Sequence, residues 1–283
     1  MSRFLQSPAI ASQPKEQVKF WRDPALRNLE MLRATYIRHS FSRHAHEGFG
    51  IAIVESGAME FEYRGQLHIA PAGSVVITHP GEMHTGRAVL ETGWTYCTLL
   101  PAIEWLQQAA EGLTKPLSSI PYFSSPVIQD KRLNRKLVSL HRKLETSPSP
   151  LEKESLFFWE MSQLVLYHAS QCPALKPIGK EHKAVEQIRD YLNAHYTTNV
   201  SLSELSTLVN LKPLRLLRSF RKQIGLPPHA YLNYVRIRQA KKLLLTGRSI
   251  VETAVDTGFS DQSHLHRHFK RMTGVTPGQY VKG

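Results

Sequence analysis

The chain of 283 residues has little cysteine and no long apolar runs. Its two cysteines, Cys97 and Cys172, lie far apart in sequence, which excludes a framework of disulfides and a zinc site of four thiolates. No apolar run approaches the roughly 18 residues that a membrane-spanning helix needs, and residues 1–17 lack the apolar core of a secretory signal. We therefore expect a cytoplasmic protein, and the length favours two domains.

Acidic residues are also few relative to basic ones. The chain has 36 Lys and Arg against 23 Asp and Glu, a formal charge of +13. Residues 184–283 hold 15 of the basic and 6 of the acidic residues, so their net charge is +9. A charge concentrated in the C-terminal third favours a polyanionic partner for that part, either nucleic acid or an anionic membrane surface.

The first hundred residues have the pattern of a β-protein. Turn signals at Ser56-Gly57, Arg64-Gly65 and Pro80-Gly81 separate short segments rich in apolar residues, which predicts a small antiparallel sandwich or barrel. The predicted strands are Met31–Arg38, Phe49–Glu55, Ala58–Tyr63, Gln66–Ala70, Ser74–Thr78 and Trp94–Leu100.

Two helices are predicted after these strands. Leu133, Leu137, Leu140 and Leu144 recur at helical spacing, and a second helix is predicted over residues 151–167. The leucine stripe suits either an intramolecular core or a partner surface, and we predict that the chain forms a homodimer through it. Residues 171–183, which include Pro173, Pro177 and Gly179, read as a linker.

A repeat lies within the basic third. Residues 201–232 align with residues 249–281, with one residue inserted within the turn. Each copy opens with a serine, Ser201 or Ser249, and its second helix stops at Gly225 or Gly274. This predicts two helix-turn-helix units whose second helices can enter the major groove of DNA. Residues 231–245 read as a continuous helix that would hold the two units about 34 Å apart, as a tandem reader.

The polar residues of the two second helices are the candidate DNA contacts. Leu214, Leu217 and Phe220 would anchor the first helix, and Leu265 and Phe269 the second. Arg can bind guanine, and Gln adenine, through two hydrogen bonds, whereas Lys and Ser mostly hold phosphate. The predicted contacts are Lys212, Arg215, Arg218, Arg221 and Lys222 in the first unit, and Gln262, Ser263, His264, His266, Arg267, Lys270 and Arg271 in the second.

Residues 184–283 resemble the DNA-binding domain of the AraC/XylS transcriptional regulators, particularly in YVRIRQAKKLLL, SIVETAVDTGFSDQSHLHRHFKR and GVTPGQY. The resemblance implies that the first unit reads the better defined promoter element through Leu214–Arg221, which adds Leu214 to the predicted contacts. Leu217 stands where a polar reader is often found, so base reading by this unit would rest on Arg215 and Arg218. The implied partners are double-stranded promoter or operator DNA, a second copy of the chain and RNA polymerase, with no membrane.

A histidine pattern in the N-terminal part is similar to the two short motifs of the cupin barrel. His44 and His46 match the first motif, and His84, after Pro80-Gly81, matches the second. The resemblance implies an α+β chain: a cupin-like effector and dimerisation domain over residues 1–170, with a barrel and two following helices, and an all-α tandem helix-turn-helix domain over residues 184–283.

The same histidines are candidates for binding a small molecule. The carboxylate of metal-binding cupins is missing, since its usual positions hold Gly50 and Ile51, so we expect neither a metal nor a cofactor. We predict instead an unknown effector in a polar and aromatic pocket. Two alternatives stay open: ordinary surface or turn histidines, and a cupin metalloenzyme, an oxygenase or isomerase, with a DNA-binding tail. The predicted pocket residues are His44, His46, Tyr63, His84, Trp94 and Tyr96.

Overall fold

The N-terminal half is an antiparallel β-barrel in this computed structural model, which describes residues 16–110, 120–170, 181–273 and 276–282. The strands within these ranges are β1 (Gln17–Asp23), β2 (Leu29–Tyr36), β3 (Ser40–His44), β4 (Gly50–Tyr63), β5 (Gln66–Pro71), β6 (Val75–Thr78), β7 (His84–Ala88), β8 (Trp94–Leu100) and β9 (Val127–Ile128).

The helices follow, with one short helix inside the barrel half and the others after it. They are α1 (Ile103–Ala110), α2 (Lys131–Thr146), α3 (Pro150–His168), α4 (His182–Ala194), α5 (Leu202–Val209), α6 (Pro213–Ile224), α7 (Pro228–Leu245), α8 (Ile250–Asp256), α9 (Gln262–Thr273) and α10 (Pro277–Lys282).

The long strand β4 closes the barrel. Its first half pairs with β6 and β8, and its second half pairs with β5 and β7. A bulge between Val54 and Ser56 bends the strand between the two halves. At Gly57 the φ angle is +70°, and a Cβ there would lie 2.2 Å from the carbonyl oxygen of Gly93. The predicted break at Ser56-Gly57 is therefore wrong, because the glycine continues a bent strand and does not end it.

Four of the described strands were absent from the prediction: β1, β3, β7 and the two-residue β9. The side chains of β1 are almost all exposed, including the apolar Val18 and Phe20, so the strand has no buried face of the kind that marks the other strands. The segment HTGRA of β7 contains a glycine and charged or polar residues, which are typical of turns. Both strands form because neighbouring strands supply their hydrogen bonds, β2 to β1, and β3 and β4 to β7.

Helix α2 covers the outside of the barrel. Its leucine stripe is buried within the chain, with Leu137 at 0% and Leu144 at 1% exposure, and the helix packs against β4, β8 and α3. Of the two interpretations of the stripe, the intramolecular core is correct. The prediction that this stripe forms a dimer interface is wrong, because those side chains already bury their apolar surface inside one chain.

The C-terminal half contains two helix-turn-helix units of the same construction, as predicted. Ser201 and Glu204 cap the N-terminus of α5 reciprocally, and Ser249 and Glu252 do the same for α8. The turns pass through left-handed positions at Asn210, with φ +50°, and Gly258, with φ +77°. Helix α7 joins the units without a break, as expected from residues 231–245.

Helix α3 contacts both halves of the chain. It packs against α1 and α2 on one side and against α5, α6 and α7 on the other, so one apolar core runs from the barrel helices into the first unit. The backbone N–H of Leu202 donates a hydrogen bond to the carboxylate of Glu154, and the guanidinium of Arg221 lies over the ring of Trp159. Residues 171–180 of the predicted linker lie outside the described residues, and residues 182 and 183 already belong to α4.

Candidate DNA-reading helices and ligand cavity

Helix α6 presents a basic face outward. Lys212, Arg215, Arg221 and Lys222 are exposed, and Arg218 is half-buried. Apolar anchors cover its inner face, since Leu217 and Phe220 are buried in the core. Leu214 is buried as well, at 1% exposure, so its prediction as a DNA contact is wrong. Leu214 belongs to the anchors because its side chain lies on the face that packs into the core.

A carboxylate holds one of the exposed arginines of α6. Arg215 Nε donates a hydrogen bond to Glu181 Oε1 at 2.8 Å, and Arg215 Nη2 lies 2.6 Å from the same oxygen. Ser219 Oγ donates to the other oxygen of Glu181 at 3.0 Å. Burial alone would raise the pKa of Glu181, but the hydrogen bonds from Arg215 and Ser219 outweigh it, and the pKa is lowered. Glu181 is therefore ionised, and its ion pair with Arg215 is named the clamp.

Helix α9 has an outward face of mixed polar character. Its exposed polar residues are Gln262, Ser263, His266, Arg267, Lys270 and Arg271. His264 is 3% exposed, so its prediction as a DNA contact is wrong. Its backbone N–H donates to Asp261 Oδ1, and its ring meets Phe259 and His268. Burial lowers the pKa of His264, which therefore packs as a neutral ring.

The barrel encloses a cavity of about 140 Å³. Its polar lining consists of the three predicted histidines, Tyr96 and the hydroxyls of Thr78, Thr85 and Thr98. The rest of the wall offers apolar contact. It is formed mainly by Phe20, Leu32, Phe41, Met59, Phe61, Val76 and Leu100.

The three histidines come together at the meeting of β3, β4 and β7. His44 faces His84 across the β3–β7 pair, with ring centroids 4.4 Å apart, and His46 lies 5.1 Å from each. His44 Nδ1 lies 2.8 Å from the carbonyl of Ser42, and His84 Nδ1 lies 3.1 Å from that of Glu82. A carbonyl only accepts, so each neutral ring carries its proton on Nδ1 and has a lone pair on Nε2.

The electrostatics of the cluster keep two of its rings neutral. Burial, and then the neighbouring His84 and His44, lower the pKa of His46 to about 4. Burial also lowers the pKa of His84. Each histidine offers one nitrogen, and these nitrogens lie within 4.8 Å of one another. Three imidazoles are sufficient in number for a zinc or iron site with open positions, and equally for hydrogen bonds to a polar ligand.

Two of the predicted pocket residues, Tyr63 and Trp94, do not line the cavity. Both lie in the barrel interior at 1% exposure. Trp94 lies two residues before Tyr96 on β8 and stacks against it, while Tyr63 shares a hydrogen bond of 2.9 Å with His79 Nδ1. The strand alternation placed them on the correct face, but the cavity ends before it reaches them.

Several residues that shape this end of the barrel are absent from the predicted site. His79 binds the backbone N–H of Phe123 through Nε2 at 3.0 Å and packs on Phe49, and its pKa is lowered by burial. It lies in the motif that contains His84, but its bonding partners are remote in sequence. Met59 and Phe61 alternate with polar residues along the predicted strand Ala58–Tyr63, and that pattern could have placed them in the pocket.

Comparison with known proteins identifies both halves. Residues 28–161 match the family of the AraC-like ligand binding domain, and residues 205–283 match a helix-turn-helix domain. The chain is 33% identical over 243 residues to an uncharacterized HTH-type transcriptional regulator, YbfI of Bacillus subtilis, with 86% of this chain and 87% of that protein covered. The chain belongs to the AraC family of transcriptional regulators.

Two other similar proteins are more distant or shorter. The lactose operon transcription activator of Staphylococcus xylosus is 23% identical over 234 residues, which is 81% of each chain. The C-terminal domain of the two-component response regulator yesN from Fusobacterium nucleatum is 35% identical, with 35% of this chain and 98% of that chain covered and a TM-score of 0.33.

Membership of the AraC family assigns a role to each half of the molecule. The helix-turn-helix half is the DNA-binding part of a transcriptional regulator, and the barrel half is its ligand-binding domain. In the described ranges, no helix combines the length and the apolar character that crossing a bilayer requires.

Proposed function

We propose that α6 and α9 read two stretches of one DNA duplex and that a small molecule in the barrel cavity controls this reading. The observation that carries the proposal is the cavity, in which three imidazoles face an otherwise mostly apolar wall. Its volume of about 140 Å³ is close to that of a dry protein cavity that holds one benzene ring, roughly 150 Å³. The effector is therefore a compact molecule with polar groups on one side.

The histidines orient this effector through hydrogen bonds. With Nδ1 protonated, His44 and His84 offer Nε2 as acceptors, which suits hydroxyl or amide donors on the ligand. Phe41, Met59 and Phe61 supply apolar surface in the same cavity, with the Phe41 ring next to His44. Tyr96 adds a hydroxyl whose pKa is raised by burial, so it can donate a hydrogen bond at neutral pH.

The signal passes through α2 and α3. Helix α2 packs on β4 and β8, which line the cavity, and α3 packs on α2 and then on α6. The contact between Trp159 and Arg221 joins α3 to the basic face of the reading helix. A shift of β4 or β8 on ligand binding would move α6 through this series of packed helices, and it is this two-state packing that we propose the effector biases.

On this proposal the chain is a regulator and not an enzyme, working in the cytoplasm as a homodimer that also contacts RNA polymerase. The rival is a cupin metalloenzyme that uses His44, His46 and His84. Metal analysis of the purified chain distinguishes the two: the proposal expects substoichiometric metal, and one tightly held iron or zinc per chain together with turnover would contradict it.

A search for the effector tests the cavity. Small polar compounds would be screened for thermal stabilisation of the full chain, because a ligand that binds only the folded state raises its stability. We expect His46→Ala and His84→Ala to abolish the stabilisation, and the exposed His182→Ala, on α4, to preserve it. A compound that stabilises all three variants equally binds elsewhere and contradicts the assignment.

A further inference from the structure

The clamp between Glu181 and Arg215 connects the start of α4 to the reading helix. The Glu181 side chain is only 9% exposed, while Arg215 remains 45% exposed. Ser219, one turn after Arg215 on α6, is fully buried and fixes the second carboxylate oxygen. The carboxylate is thus held from within the fold, and the arginine that it binds still reaches the surface.

The atoms of this contact decide which edge of the guanidinium is presented outward. Glu181 takes the side edge, made of Nε and Nη2. The end edge, which consists of Nη1 and the second hydrogen of Nη2, keeps two parallel N–H donors. Guanine presents O6 and N7 as two adjacent acceptors in the major groove, which matches such a pair of donors.

We propose that Glu181 is a positioning residue for base recognition: it fixes Arg215 so that the end edge of its guanidinium meets one guanine. The proposal rests on the proposed function, in which α6 reads DNA. An unclamped arginine would have to lose its rotamer freedom on binding and could reach neighbouring bases or phosphates equally well. A clamped arginine is ordered beforehand and favours one geometry.

The charge of Glu181 gives the proposal a distinctive signature. A carboxylate close to the DNA repels the phosphates of every duplex, whatever its sequence. Replacing Glu181 by glutamine should therefore raise affinity for non-specific DNA and at the same time weaken discrimination at one base pair. A role confined to the stability of α4 would instead lower both affinities together.

The second reading helix provides an internal control. In the described part of the chain, no carboxylate is found in an ion pair with Arg267 of α9, so the clamp is confined to the first unit. The preference that Arg267 reads should survive any change at Glu181. A general disturbance of the fold would weaken both preferences.

The experiment uses the full chain and a pool of duplexes with a randomised centre, sequenced before and after binding. The variants are Glu181→Gln, Ser219→Ala and Arg215→Ala, with the exposed Glu186→Gln of α4 as the matched control. We expect Glu181→Gln to weaken the preference for one guanine by about 3- to 10-fold and to raise affinity for unselected duplexes by about twofold. Ser219→Ala should give a smaller loss at the same base pair, and Glu186→Gln should give none.

Three results would overturn the proposal in distinguishable ways. If Arg215→Ala loses the guanine preference but Glu181→Gln and Ser219→Ala keep it, Arg215 reads DNA without help from Glu181. If Glu181→Gln sharpens the preference, the carboxylate sequesters Arg215 and does not position it. If Arg215→Ala itself changes no preference, the assignment of Arg215 as a reader fails, and the positioning role fails with it.

Discussion

At the scale of single residues, we expect the basic side chains of α6 to divide into readers and phosphate contacts. Lys222 lies exposed near the end of α6. Its ammonium is a point charge and lacks the parallel N–H donors with which a guanidinium can bind a base. Lys222→Ala should weaken binding to all duplexes alike and reduce the slope of log affinity against log salt by about 1. Titrations at several salt concentrations measure this, with the exposed Lys131→Ala of α2 as control. A change in sequence preference would contradict the assignment.

A buried histidine makes stability depend on pH. Burial, and then the neighbouring His264, lower the pKa of His268 to about 3, below the roughly 6.5 of an unfolded chain. Arg271 Nη2, a donor only, lies 3.2 Å from His268 Nδ1, so that nitrogen is unprotonated in the folded state. The unfolded chain therefore binds the proton first, and stability is lost as pH falls from about 6.5 towards 3.

His268→Gln should flatten this part of the stability curve, because glutamine cannot titrate. One such histidine contributes a slope of at most about 1.4 kcal/mol per pH unit. Urea unfolding of the wild type, His268→Gln and the exposed control His182→Gln between pH 7 and about 4.5 measures the difference. An unchanged slope in His268→Gln would show that His268 already binds its proton in the folded state.

The sequence could predict residue types but not every environment. The outward arginines of α6 and the three barrel histidines were identified from spacing and motif. His264 was mistaken for a reader because histidine suits both a core and a surface, and only the packing of Phe259 and His268 decides between them. Glu181 could not be found, since its partners Arg215 and Ser219 lie more than 30 residues away.

At the scale of secondary-structure elements, the leucine stripe of α2 stabilises the barrel from outside. Leu137 has no exposed surface and packs in the core that also contains Ile53 and Leu99. Leu137→Ala should lower the free energy of unfolding by about 2–5 kcal/mol. Chemical denaturation measures this loss, and the exposed Leu245→Ala of α7 is the matched control. If the two variants were equally stable and Leu137→Ala changed only the oligomeric state, the stripe would be a dimer interface after all.

Helices were easier to predict than strands for a physical reason. The bounds of α2, α3 and α7 follow from apolar spacing and local caps, such as the side chain of Asp130, which accepts from two backbone N–H groups of α2. The strand β1 depends on its pairing with β2, and β7 depends on hydrogen bonds to β4, a segment distant in sequence. The continuity of β4 depends on a bulge and on the close approach of Gly93 to Gly57, which a local pattern does not encode.

At the scale of the whole molecule, the barrel and the first helix-turn-helix unit share one core through α3. An effector that prefers one packing of α3 would change DNA affinity by roughly 5- to 150-fold, and DNA would change effector affinity by the same factor. Trp159→Ala removes the ring that Arg221 contacts. We expect this variant to bring the factor by which the effector changes DNA affinity closer to one. Its affinity for the effector in the absence of DNA should stay unchanged. Calorimetry with and without DNA, once an effector is found, measures both quantities, and an undiminished factor would contradict the route through α3.

The central claim is that two helices of one chain read two stretches of one duplex. Selection from a randomised duplex pool by the wild type, Arg215→Ala and Arg267→Ala tests it most directly. The account predicts a wild-type motif of two blocks, with Arg215→Ala losing a preference in one block only and Arg267→Ala losing a preference in the other block only. If both variants select the complete wild-type motif, or if both lose the same block, α6 and α9 do not read separate stretches of the duplex.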